Sequence, residues 1–100
     1  MTFVEVAKLK DLKPGSSKVV EAKGIPIAIF NVDGNIYATS NTCLHAAGSL
    51  GEGTLEDNII TCPLHGWQYN IMDGSCKTMN FMKLKIFKVK IDNDKIMVDV

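Results

Sequence analysis

The chain has 100 residues, enough for one domain with a modest core, and 46% of them are apolar, which argues against disorder. Eleven basic residues, all of them Lys, balance eleven acids. Neither a basic excess nor an arginine fork is present to read nucleic acid, so nucleic acid is not expected as a partner.

Phe3 to Ala7 alternates loosely and reads as a strand. The opening Met1 to Val6 lacks the charged start and long apolar centre of a signal peptide. No apolar run reaches the roughly eighteen residues of a membrane span. A cytoplasmic protein is therefore expected, in a reducing compartment that leaves cysteines free for metal. Lys13-Pro14-Gly15-Ser16-Ser17 reads as a turn or loop, and Lys18 to Ala22 as a short strand. Ile25 to Val32 is mostly apolar and partly β-branched, the mark of a buried strand. Pro26 is tolerable there because it falls at the strand's start. Asp33-Gly34 is a strong hairpin signal, after which Asn35 to Thr39 returns.

From Asn41 to about Lys77 the chain becomes rich in Gly, Asn and Asp. Gly48, Gly51, Gly53, Gly66 and Gly74 interrupt any regular element, and a short helical turn fits Ala46 to Leu50. Ile59-Ile60-Thr61 is a short strand leading into Cys62. Tyr69-Asn70-Ile71 leads out, toward a turn at Asp73-Gly74. Leu84 to Ile91 and Lys95 to Val100 read as the last two strands, joined at Asp92-Asn93-Asp94. No long amphipathic helix is legible. The pattern predicts one all-β domain over residues 1–100. Its base is antiparallel, built from 1–40 and 78–100, with a small subdomain, 41–77, inserted between.

That subdomain carries the chemistry. Cys43-Leu44-His45 and Cys62-Pro63-Leu64-His65 are separated by residues 46–61. Together they contain both histidines and two of the three cysteines, a concentration that core packing does not explain. Thiolates and imidazoles suit zinc or iron–sulfur clusters. A common zinc finger puts its two Cys on one knuckle and its two His on a helix. Here each loop carries one of each, and the second continues as Gly66-Trp67-Gln68-Tyr69. A structural zinc domain stays open on this reading. A colourless protein holding one zinc would establish it.

The pattern Cys-x-His, then Cys-Pro-Leu-His-Gly-Trp, resembles the Rieske 2Fe-2S proteins, in which two His replace two Cys on one iron. The resemblance implies a Rieske-like antiparallel β-sandwich whose inserted subdomain binds one 2Fe-2S cluster. The implied ligands are Cys43, His45, Cys62 and His65, the cysteines on one iron and the histidines on the other. It also implies a one-electron carrier that does no substrate chemistry, working between a reductase and an oxygenase or another acceptor. The alternative is a small subunit of a larger oxygenase or nitrite-reductase-like complex. Imidazole ligation leaves the oxidised cluster neutral, which raises its potential above that of a four-thiolate cluster. The potential should then fall at alkaline pH as the bound histidines deprotonate.

Departures from the high-potential members of the family point to the ferredoxin and dioxygenase type. Gly48 and Leu64 stand where those members carry a disulfide, and Trp67 stands where they carry a Ser hydroxyl. Tyr69 matches a Tyr that bonds a ligand thiolate in those members, so a potential above that of a Phe-bearing ferredoxin is expected. The family's Pro-containing covering loop is replaced by Lys77 to Met82, where Met79 and Phe81 are the candidates to shield the cluster. Leu44, Ala46, Ala47 and Leu64 are expected to form an apolar rim for redox partners. Trp67 is expected to brace the second loop and Cys76 to be a buried, inert thiol. Lys83, Lys85, Lys88 and Lys90 read as a solvated strand face, with their phase slipping at Ile86-Phe87.

Overall fold

A computed structural model of the chain describes residues 2–43, 48–64, 66–79 and 82–100. Ten strands account for half of the described residues: β1 Phe3–Lys8, β2 Ser17–Ala22, β3 Ile25–Val32, β4 Asn35–Ser40, β5 Thr54–Glu56, β6 Ile59–Thr61, β7 Gln68–Asn70, β8 Ile86–Phe87, β9 Val89–Asp92 and β10 Lys95–Asp99. Two single 3-10 turns, Leu9–Asp11 and Leu50–Glu52, are the helical elements among the described residues. The strands form three antiparallel sheets in the orders β1-β10-β9, β2-β3-β4-β8 and β5-β6-β7. The expected all-β, antiparallel class is what the chain adopts. Among the described residues no helix is long and apolar enough to cross a membrane.

The hairpin at Asp33-Gly34 forms where its dipeptide asks for it. Both residues take positive φ, 52° and 91°, as a two-residue turn matching strand twist requires. Asn31, almost fully buried, ties this hairpin down. Its side-chain carbonyl accepts from the Gly34 N–H at 2.8 Å, while its amide donates to the Leu12 carbonyl at 2.7 Å.

β3 explains the near-continuous apolar run of Ile25 to Val32. Side chains on a strand alternate between faces, and here both faces are covered. Ala28 and Phe30 pack into one core with Cys43, Leu50, Ile60, Cys62, Tyr69, Ile71, Cys76 and Leu84. Ile27 and Ile29 pack into a second, with Leu12, Ala22, Ala38, Phe87, Ile96 and Val98. The first core lies under the candidate site. The second is closed by the β1-β10-β9 sheet.

The expected single strand from Leu84 to Ile91 is instead two. β8 pairs with β4 and β9 with β10, in different sheets. The break falls at Lys88, whose carbonyl accepts from the Asp99 N–H at 3.0 Å. The chain crosses from one sheet to the other at this point. β5 was not legible, because Thr54-Leu55-Glu56 is short and two of its three residues are exposed. The turn expected over Ala46 to Leu50 lies partly outside the described residues, and the 3-10 turn begins at Leu50.

Candidate functional site: two cysteine loops on one core

Cys43 closes the neck of the first loop. Its N–H donates to the Gly48 carbonyl at 2.9 Å, and Thr42 bridges Ser49 just below. Asn41, 7% exposed, fastens this neck in three ways. Its carbonyl accepts from the Leu50 N–H at 2.8 Å. Its side-chain oxygen accepts from the Gly51 N–H at 2.8 Å, and its side-chain amide donates to the Ser49 hydroxyl at 3.0 Å. Nothing in the cysteine-histidine pattern flagged Asn41. A lone Asn beside a ligand motif carries no signature until its partners are known.

The second loop is the tip of the β6–β7 hairpin. Thr61 pairs with Gln68. One step further out, the Cys62 N–H donates to the Trp67 carbonyl at 2.8 Å, and the Gly66 N–H returns to the Cys62 carbonyl at 3.1 Å. Gly66 has φ 72°, which a glycine adopts without steric cost. Gly48 is where the two loops approach. A Cβ added there would sit 2.8 Å from the Cys62 sulfur and 3.2 Å from Cγ of Leu64. The missing side chain thus leaves room for the sulfur and for Leu64.

Both cysteines are buried at 2% exposure and share one apolar core with Tyr69. The Tyr69 hydroxyl lies 3.3 Å from the Cys43 sulfur. A thiolate at Cys43 has no proton to give, so the hydroxyl would then be the donor. Trp67 is half-buried and packs against the same core, as does Met79. Leu64 is 58% exposed. His45, His65, Leu44 and Phe81 lie outside the described residues.

Cys76 is buried, as expected, and it also holds structure. Its sulfur accepts the Met79 N–H at 3.3 Å. Its N–H donates to the Met82 carbonyl at 3.1 Å, and the Met82 N–H to the Met79 carbonyl at 3.0 Å. These bonds close the foot of a third loop beside β7, where Lys77 donates to the Gln68 carbonyl at 2.7 Å. The preceding turn is set by Asp73. Its carboxylate accepts the Ser75 N–H at 2.9 Å and the Ser75 hydroxyl at 2.8 Å. Those two donors hold the carboxyl below its usual range.

Two buried cysteines at adjoining loop necks, each followed closely in sequence by a histidine, offer the donor types that a mixed sulfur–nitrogen iron site takes. A model of the Rieske [2Fe-2S] domain family matches residues 2–88. The chain belongs to the Rieske family. Membership brings a Rieske-type 2Fe-2S cluster and the work of an electron-transfer protein rather than a catalyst. The donor set described above fits that group.

The similarity to individual Rieske ferredoxins spans the whole chain. The ferredoxin component of biphenyl 2,3-dioxygenase from Rhodococcus jostii (strain RHA1) is 35% identical, over 100% of this chain and 94% of its own. The ferredoxin component of the naphthalene 1,2-dioxygenase system from Pseudomonas putida is 33% identical, over 98% and 95%. Among solved structures, the ferredoxin of carbazole 1,9a-dioxygenase from Nocardioides aromaticivorans IC177 superposes with a TM-score of 0.91. It is 29% identical and covers 98% of this chain and 97% of its own. A chain in a complex of reduced oxygenase and oxidised ferredoxin of carbazole 1,9a-dioxygenase matches with a TM-score of 0.89. It is 33% identical, over 96% of this chain and 91% of its own.

Proposed function

We propose that this Rieske protein is a free-standing carrier taking single electrons from a reductase to an oxygenase. In this reading Cys43 and Cys62 hold one iron of the cluster, and His45 and His65 the other. The observation that carries it is the pair of buried cysteines in one core, each at the neck of a loop whose sequence supplies a histidine. The names of the relatives, which are ferredoxin components of dioxygenase systems, support the choice of oxygenase as acceptor. The proposed layout is a base of residues 1–40 and 78–100 with a cluster-binding subdomain at 41–77. Three cysteines cannot all pair with one another, which fits a reducing compartment, and we place the protein in the cytoplasm.

When bound, the cluster supplies a one-electron couple. The chain's own groups set where and how easily that couple works. Burial of both cysteines keeps water from the sulfurs, and the Tyr69 hydroxyl beside Cys43 favours the more negative, reduced state. The test is anaerobic reconstitution with iron and sulfide, followed by metal analysis and EPR. Two irons and two sulfides per chain, with a rhombic signal on one-electron reduction, are expected. Cys43→Ser, Cys62→Ser, His45→Ala and His65→Ala should each abolish the signal. A chain that takes up one zinc and no sulfide overturns the reading.

A further inference from the structure

The charged residues avoid the cysteine loops. From Gly34 to Gly51, from Asn58 to Met72 and from Thr78 to Met82 the sequence contains no Asp, Glu or Lys. These three segments include both loop necks and the described part of the third loop. The charges between these segments are Glu52, Glu56, Asp57, Asp73 and Lys77, and Lys77 lines a hollow over β5–β7 with Glu56 and Asp57. What the loops do show is apolar: Leu64 at 58% exposure, with Pro63 and Gly66 exposed on either side of the sequence Leu64-His65.

We infer that the cluster-bearing end of this protein docks onto an uncharged, apolar surface of its redox partner, and that no ion pair forms across the contact. This rests on the carrier reading above and names the partner chemistry. The reason is desolvation. A charge on the partner facing these segments would lose its water and find no opposite charge within them, and burying an ion uncompensated is unfavourable. An apolar partner surface loses nothing by dehydration and covers Leu64. Steering by charge, where it operates, makes association fall steeply with ionic strength. Contact through this end removes that dependence.

The test needs no identified partner. The reconstituted protein is examined by film voltammetry on gold carrying alkanethiol monolayers of equal length, ended by methyl, carboxylate or ammonium groups. Cluster content is matched beforehand by EPR, so failure of the carrier reading appears as a missing EPR signal before any electrode is used. The expected result is fastest electron exchange on the methyl surface, changing less than about twofold between roughly 20 and 500 mM salt, a range over which the screening length shrinks from about 20 Å to under 5 Å. Leu64→Lys and Leu64→Asp should each slow exchange on that surface by about tenfold, the size of a typical steering effect. Met72→Lys, which adds the same charge to another exposed apolar side chain away from the loop necks, should leave it unchanged. Faster exchange on a charged surface that salt suppresses about tenfold overturns the inference. So does equal exchange by the Leu64 variants, or no exchange on any of the three surfaces.

Discussion

Two side chains decide how the cysteine end behaves. Tyr69 places its hydroxyl 3.3 Å from the Cys43 sulfur inside a closed core. A hydrogen bond there is worth on the order of 1 kcal/mol, or about 40 mV for a single electron. Tyr69→Phe should therefore lower the midpoint potential by roughly that amount while the EPR signal keeps its size; spectroelectrochemistry reads the shift. Asn41 makes its three neck bonds from an almost fully buried position. Asn41→Ala removes the side-chain half and leaves the Gly51 N–H unpaired, at about 1–3 kcal/mol. Urea unfolding should show that loss, and the reconstituted variant should lose iron faster on dilution. The cysteines were legible in the sequence because their residue type and spacing are rare. Asn41 was not, because it acts through Ser49, Leu50 and Gly51, which the motif does not contain; Gly48 was legible as the counterpart of Leu64 but not as the gap that leaves room for the Cys62 sulfur.

At the scale of elements, turns and strands were readable where a local rule fixes them. The Asp33-Gly34 hairpin and the turn at Asp73-Gly74 both form, since φ preferences act within two residues. The Leu84–Ile91 segment was misread as one strand because its break at Lys88 arises from a change of sheet, and pairing partners are not written into local pattern. β5 escaped for a related reason: it exists by pairing with β6. The Asp73 turn gives a prediction with a definite sign. Its carboxyl is held low by the Ser75 donors. Its stabilising effect is therefore present above the unfolded-state value and lost as pH falls through the lower native value. Asp73→Asn should flatten the acid limb of a stability-against-pH curve in that window and change little at neutral pH. Thermal melts across the acid range measure it.

For the whole molecule, β3 is the shared wall. Phe30 faces the core that holds both cysteines, and Ile29 faces the other. Phe30→Ala should cost about 3–5 kcal/mol and Ile29→Ala about 2–5 kcal/mol, so both lower the melting point comparably. They should differ in the cluster. Opening a void in the core that holds Cys43 and Tyr69 should broaden the EPR signal and shift the potential in Phe30→Ala, with neither change in Ile29→Ala. That the buried strand lay at 25–32 was plain from its composition. That it serves two cores was not, because an apolar run says it is covered on both sides without saying by what.

Because one strand is clad on both sides, neither half of the protein can melt and leave the other intact. Peeling away the cysteine-bearing half would strand Ala28 and Phe30 in water; peeling away the terminal sheet would do the same to Ile27 and Ile29. A scanning calorimeter should therefore record one heat-absorption peak, and the visible colour of the loaded protein should bleach over that same interval rather than ahead of it.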